Sequence, residues 1–244
     1  MNAILVCVEY SDLLAITLPY NRHHFEKVLV VTSMNDTETI RVSRENDATV
    51  FTTDLFYANG ALFNKWLALE AGLDYLGRKG LLCIMDADVL WPKDLGKFNP
   101  KSGHLYSPKR RMAECFSSPP EEDWPKHPYH WVHKKYPREF SGYSLIFHAH
   151  DKFLPDPPWH EINWTHAGGA DTFFSRLWPH SRRIRTQWEC LHIGPDERNW
   201  CGRSSEFIDG TVPEGANGRR KKLAEFMEGR KRSRSFEHER IQIQ

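Results

Sequence analysis

Short β-branched runs alternate with segments of helical period through the first ninety residues. This alternation confines the chain to βαβ units wound about a largely parallel sheet with both faces covered. Residues 3–8 (AILVCV), 27–33 (KVLVVTS) and 48–52 predict strands. Residues 12–24 predict a helix interrupted or kinked at Pro19, and residues 36–46 a helix with an acidic first turn. Between 60 and 78, Leu62, Trp66, Leu69, Leu73 and Leu76 recur at helical spacing, with Lys65, Glu70, Asp74 and Arg78 turned away from that stripe. The helix so predicted ends at Gly77–Gly80. The continuous apolar run 81–85 (LLCIM) then predicts a buried central strand, which delivers Asp86-Ala87-Asp88 at its carboxyl end.

Further along, residues 107–138 are rich in Pro, Lys, Arg and aromatics and lack a sustained period, which predicts a long loop or insertion. Residues 140–148 predict a strand, Gly168-Gly169-Ala170-Asp171 opens a short helix running to Trp178, and residues 183–193 predict a last strand. The expected architecture is α/β: one domain over 1–217, carrying the 107–138 insertion, and a separate tail over 218–244. A chain of 244 residues can bury such a core without disulfides.

Charge divides along the same boundary. Residues 1–217 hold 24 Lys/Arg against 28 Asp/Glu, whereas residues 218–244 hold nine against four, so a mildly acidic body carries a basic tail. The five cysteines (Cys7, Cys83, Cys115, Cys190, Cys201) are scattered and never in a C-x-x-C spacing, which fits a reducing compartment better than a zinc ribbon or a disulfide framework. No apolar stretch approaches the roughly eighteen residues of a membrane helix, and no basic segment precedes the first strand. The expectation is a protein of the cytoplasm, or of the host cytoplasm if the source is viral, with no membrane partner.

Open α/β sheets bind ligands beyond the carboxyl ends of their strands, where Asp86 and Asp88 are placed. A D-x-D pair arises about once by chance in a chain with 14 aspartates, and a solvated loop at a strand end is the plain alternative. Two carboxylates beyond a wholly apolar strand must, however, be solvated, paired or metal-bound, and hard oxygen ligands suit Mn²⁺ or Mg²⁺. The triplet His127, His130 and His133 also has a chelating spacing, but Pro128 and the lack of a cysteine partner favour an aromatic surface loop. There is no G-x-S-x-G and no Walker loop.

The order of these segments resembles that of GT-A fold glycosyltransferases of the family 2 type. The helix bearing Asn64-Lys65-Trp66-Leu67-Ala68-Leu69-Glu70-Ala71, then a strand ending Asp86-Ala87-Asp88 with Pro92 after it, carries the resemblance over roughly residues 3–203. It implies a Rossmann-like nucleotide-binding domain with a central mostly parallel sheet and an acceptor-side loop insertion. It further implies a nucleotide-sugar donor, most simply a UDP-sugar, with Asp86 contacting ribose and metal and Asp88 ligating the metal. Gly168-Gly169-Ala170-Asp171 resembles the motif in which inverting members place the acceptor base, which implies that role for Asp171; a helix-terminal carboxylate is the plain alternative. Leu191-His192-Ile193-Gly194-Pro195 resembles the late segment that completes the metal site, implying His192 as the third protein ligand, against a structural histidine at a strand end.

By the same resemblance, Val8-Glu9-Tyr10 and the stretch from Thr32 to Asp36 occupy the strand ends that hold the nucleoside, though without the usual P-x-Y-N and D-D-G-S patterns. Lys65, one turn into its helix, reaches the nucleotide or remains an exposed lysine. Arg198 and Arg203 flank Trp200 in a segment suited to closing over a diphosphate, against a plain surface loop.

The tail clusters 219–222 and 230–234, with Lys109-Arg110-Arg111 and Arg182-Arg183-x-Arg185 in the body, are the charge pattern of nucleic-acid binding or of solvated disorder. Trp124, Tyr129 and Trp131 are placed to stack on bases. The chain is similar in size and charge layout to small viral GT-A enzymes that glycosylate hydroxymethylated pyrimidines in DNA, which makes such DNA the expected acceptor. Two other classes stay open: a nucleotidyltransferase on a related sheet, separated by product mass, and a noncatalytic nucleic-acid-binding module, separated by metal dependence.

Overall fold

A computed structural model describes residues 1–193 apart from 62, 114–139, 141, 165, 166 and 168. The elements are β1 (Asn2–Val6), α1 (Ser11–Asn21), β2 (Lys27–Thr32), α2 (Thr37–Glu45), β3 (Thr49–Thr52), α3 (Lys65–Leu76), β4 (Leu81–Asp86), β5 (Val89–Leu90), β6 (Leu105–Ala113), β7 (Ser144–His148), α4 (Ala170–Ser175) and β8 (Arg183–Ile193). All eight strands join one sheet in the order β3-β2-β1-β4-β7-β6-β8-β5. The expected parallel ladder is the β3-β2-β1-β4 half. The other half is mixed: β7 runs antiparallel to β4 and β6, β5 runs antiparallel to β8, and β6 and β8 are parallel.

Both faces are covered, as the apolar strands require. Ile4, Leu29, Val31, Leu82 and Ile84 pack under Trp66, Leu69 and Leu73 of α3 and Phe174 of α4, while Ala3, Leu5, Val28, Val30 and Met85 pack under Leu14 and Leu18 of α1 and Val42 of α2. Gly72 lets α3 approach closely: a Cβ there would stand 2.6 Å from Val31 Cγ2 and 2.9 Å from Ile4 Cδ1. No helix among the described residues is long and apolar enough to cross a membrane.

Four local expectations are corrected. Helix α1 is not interrupted at Pro19 but continues to Asn21, and two buried polar residues, Thr17 and Asn21, tie its last turns to the Ala87 and Val89 carbonyls. Helix α3 begins at Lys65, with Asn64 accepting from the Leu67 N–H, so Lys65 opens the helix instead of lying one turn in. Its C-terminus is as expected, closed by Gly77 at φ +90°. Residues 105–113, of which 107 onward was expected to be loop, form strand β6; the register against β8 shifts between Ser107 and Lys109, which accommodates Pro108 within a strand. Strand β7 starts at Ser144, not at 140.

The polar face of α3 is a fifth departure. Glu70 is buried: its carboxylate accepts from Arg78 Nη2 at 2.7 Å, from the Trp159 and His160 N–H groups at 3.0 Å each, and from His160 Nδ1 at 2.6 Å. Burial raises its pKa, but the His160 and Arg78 partners outweigh burial and hold it below the ordinary carboxylate value. The His160 ring in turn lies stacked between Trp66 and Phe174, at centroid distances of 4.9 and 4.1 Å. The segment around residue 160 thus ties α3 to α4, the two helices that border the site.

Candidate metal centre

Strand β4 ends at Asp86, opposite Val6 of β1, and the Asp86 N–H donates to the Tyr143 carbonyl at 3.1 Å. The chain then turns through Ala87 and Asp88 into β5, which pairs with β8 so that Val89 faces His192. The Ile193 N–H donates to the Asp88 carbonyl at 2.9 Å. The short hairpin-like pairing of β5 with β8 therefore carries an imidazole from the end of the fold to the acids of the D-A-D turn.

One ligand atom from each of Asp86, Asp88 and His192 lies within 4.8 Å of the others. His192 Nε2 stands 3.0 Å from Asp88 Oδ1, yet no donor among the described residues is aimed at that buried oxygen in hydrogen-bond geometry. Two carboxylates and an imidazole facing a shared point, one of the oxygens left without a directed donor, is a donor set that fits a divalent cation. Burial would raise the Asp88 pKa, but the adjacent imidazole of His192 and the more distant ammonium of Lys65 overcome it, and the carboxyl is held below its ordinary value. Lys65 also forms an ion pair with Asp86 Oδ1. Its ammonium lies over the Trp66 ring, 5.1 Å from the centroid, so it is neither an exposed helix lysine nor free of the acids.

Asp171, in the first turn of α4, lies on the other side of the Gly142–Tyr143 peptide. Its Oδ2 accepts from the Gly142 N–H at 2.6 Å and its Oδ1 from the Thr172 N–H at 2.9 Å. Because Gly142 bonds Asp171 and Tyr143 bonds Asp86, one dipeptide holds both acids in mutual register. Burial pushes the Asp171 pKa up and the charge of Asp86 adds to it; the two backbone donors and Lys65 oppose the rise without cancelling it.

The strand ends expected to hold a nucleoside lie beyond β1 and β2. Val8 is buried in the core and Thr32 is fully buried. The Asp36 carboxylate accepts from the Glu9 N–H at 2.6 Å, from Thr32 Oγ1 at 3.1 Å and from the Thr39 N–H at 3.0 Å, the last as the cap of α2. Asp36 thereby holds Glu9 at a left-handed φ of +59° and presents that residue at the surface beyond β1. Tyr10 packs against the cluster of Leu13, Leu90, Leu191 and Ile193. The sequence offered no signal for Tyr57, which is exposed near Glu9, Asp36 and Asp54; partial burial and then those charges raise its pKa.

The arginines of the body are largely engaged within the fold. Arg111 pairs with Glu189, Arg110 lies over the Tyr143 ring, and Arg185 donates to the Tyr143 hydroxyl at 2.8 Å and lies over Phe140. Arg183 donates to the Trp178 carbonyl at 2.9 Å, while Lys109 and Arg182 are exposed. Cys7, Cys83 and Cys190 are buried free thiols, the first pushed up to about 12 by burial. Arg198, Arg203, Cys115, Cys201, the 127–133 histidines, Trp124, Tyr129, Trp131 and the basic tail lie outside the described residues.

No family model matches the chain, and no curated protein matches it. Among solved structures, it is similar to mannosyl-3-phosphoglycerate synthase from Rubrobacter xylanophilus, with 12% identity and a TM-score of 0.48 over 81% of this chain and 67% of that one. It is also similar to glucosyl-3-phosphoglycerate synthase from Mycobacterium tuberculosis in complex with phosphoglyceric acid, with 12% identity and a TM-score of 0.46 over 84% of this chain and 73% of that one. Those values describe a general likeness of layout, and the chemistry of this chain rests on its own side chains.

Proposed function

We propose that this chain is a metal-dependent GT-A type glycosyltransferase, which moves a sugar from a nucleoside-diphosphate sugar, in the first instance a UDP-sugar, to a hydroxyl acceptor. The observation that carries the proposal is the convergence of Asp86, Asp88 and His192 at the end of a buried central strand. These three residues hold the cation, and the mixed oxygen and imidazole set favours Mn²⁺ over Mg²⁺. A divalent ion held there supplies charge to offset that developing on the departing nucleoside diphosphate.

The remaining groups take roles that follow from their surroundings. Lys65 stands beside Asp86 and places a second positive charge at the diphosphate side. Asp171 is the general base: its raised pKa strengthens it as a proton acceptor, and its two backbone donors fix its carboxylate toward the acceptor hydroxyl. Attack by that hydroxyl on the face of the anomeric carbon opposite the leaving group inverts its configuration. Glu9, Tyr10 and the exposed Tyr57 border the nucleoside, Asp36 and Thr32 shape that edge from beneath, and Arg198 and Arg203 close over the diphosphate.

For the acceptor we carry a 5-hydroxymethyl pyrimidine in DNA, supported by the basic tail together with Lys109 and Arg182. Arg110, Arg111 and Arg185 add less to a DNA surface because they are engaged with protein groups. Calorimetric titration with UDP tests the site: binding is expected to require Mn²⁺ and to vanish in Asp88→Ala. UDP binding indifferent to both would end the proposal. DNA containing hydroxymethyl pyrimidines, incubated with nucleotide sugars and Mn²⁺, is expected to gain a sugar's mass; a null result across donors moves the acceptor elsewhere.

A further inference from the structure

Strand β5 is only two residues long and forms one edge of the sheet, with β8 on its other side. A strand so short makes few ladder bonds, yet it carries the turn in which Asp88 sits and sets that residue opposite His192. Something besides β8 must hold it. On the open edge stands α1. Its Asn21 carboxamide donates from Nδ2 to the Val89 carbonyl at 2.7 Å and accepts at Oδ1 from the Trp91 N–H at 2.9 Å. This one side chain thus offers the donor and the acceptor that a neighbouring strand would offer. One turn earlier, the Thr17 hydroxyl donates to the carbonyl of Ala87, the middle residue of D-A-D. Thr17 and Asn21 are 1% and 2% exposed, so water cannot replace either contact. Leu13 packs with Leu90, Leu191 and Ile193 and seats the same helix against β5 and β8.

We infer that Thr17 and Asn21 are positioning residues that lock the D-A-D turn to β8, so that Asp88 and His192 face a common point. Neither touches the cation or the substrate; both act through the backbone of residues 87–91. The consequence for cation affinity rests on the function proposed above, whereas the consequence for the turn itself does not.

Two measurements on full-length protein separate these. Amide exchange at Ile193, whose N–H donates to the Asp88 carbonyl, reports the lock without any metal. Titration with Mn²⁺ alone reports its consequence. Thr17→Val, which keeps shape and removes the hydroxyl, and Asn21→Asp, which removes the amide donor, are expected to speed exchange at Ile193 about ten-fold or more. They are also expected to raise the Mn²⁺ dissociation constant about ten- to a hundred-fold, the range for groups that orient metal ligands. Thr17→Ser is expected to behave as wild type in both, which a general loss of packing would not allow. If Asn21→Asp does not fold, Thr17→Val and its serine rescue still decide. Wild-type exchange in folded Thr17→Val overturns the inference, as does faster exchange with unchanged Mn²⁺ affinity. A wild-type chain that ignores Mn²⁺ sinks the proposed metal site instead, while exchange at Ile193 still decides whether the lock exists.

Discussion

The corner formed by β4, β5 and β8 and the corner formed by α4 and the Gly142–Tyr143 peptide each present a carboxylate beside Asp86, and they treat it in opposite ways. Burial is the largest influence on both Asp88 and Asp171 and raises both. At Asp88 the His192 imidazole and Lys65 outweigh it, so that acid stays ionised. At Asp171 the partners are two backbone N–H groups, with Lys65 opposing and Asp86 adding to the rise, and the carboxyl holds its proton to higher pH. With similar burial, the identity of the partner decides the direction. An acid kept ionised suits ligation, and an acid with raised proton affinity suits proton transfer; two carboxylates pushed apart in this way mark distinct chemical roles.

The strongest break of this comparison is at Asp88. Asp88→Ala is expected to lower the rate of sugar transfer about a thousand-fold or more, in line with loss of charge stabilisation at a leaving group, and to remove measurable Mn²⁺ binding. Asp171→Asn comes next. It is expected to lower kcat by about 10²- to 10⁴-fold, the range for a general base, while leaving Mn²⁺ and UDP affinity in place. If the second variant also loses the cation, the two corners are one unit and the division of roles fails.

A finer probe is Gly142, which lies between the corners. A Cβ there would stand 3.1 Å from Asp171 Cβ and 3.1 Å from Trp66 Cη2. Gly142→Ala therefore makes Asp171 or Trp66 give by a few tenths of an ångström, and neither of the two crowded side chains belongs to β4, β5 or β8. The expected outcome is a loss of about ten-fold in kcat, well below the roughly hundred-fold attached to a displacement of 1 Å, with Mn²⁺ affinity as in wild type. A drop in cation affinity larger than the drop in kcat would mean that the dipeptide serves the metal corner first.

Legibility follows the same geography. The D-A-D turn is readable because a wholly apolar central strand has to hand over to polar residues at its end, and β4 does so at Asp86. His192 is readable through its order in the chain, since the strand that carries it, 183–193, was predicted to its last residue, though the two-residue β5 that brings it to Asp88 leaves no pattern of its own. Strand β6 is hidden by Pro108 and by three consecutive basic residues, two of which, Arg110 and Arg111, gain partners that periodicity does not reveal. Glu70 sits on the polar side of α3, and only the distant Trp159–His160 segment turns that side into an interior. Asp36 and Thr32 lie where a nucleoside was expected, but hold the backbone of Glu9 and the start of α2 in addition to bordering that edge. Contacts between residues far apart in the chain decide the cases of β6 and Glu70, and short-range spacing carries neither.

The smallest effect is also the most diagnostic, because it concerns the position of a titration instead of a loss of rate. A general base acts only when ionised, so activity falls as pH drops through its pKa. The Asp171 pKa is raised, chiefly by burial. At saturating Mn²⁺, the acid limb of kcat/KM is therefore expected above the ordinary aspartate value of about 3.9. Asp88, held low, keeps its charge through that range and contributes nothing to the limb. A limb set by loss of the cation would move with Mn²⁺ concentration, whereas the Asp171 limb does not. The residual activity of Asp171→Asn is expected to lack the limb altogether. A limb that persists in that variant, or one that slides with Mn²⁺, assigns it to the metal corner and removes the contrast between the two acids.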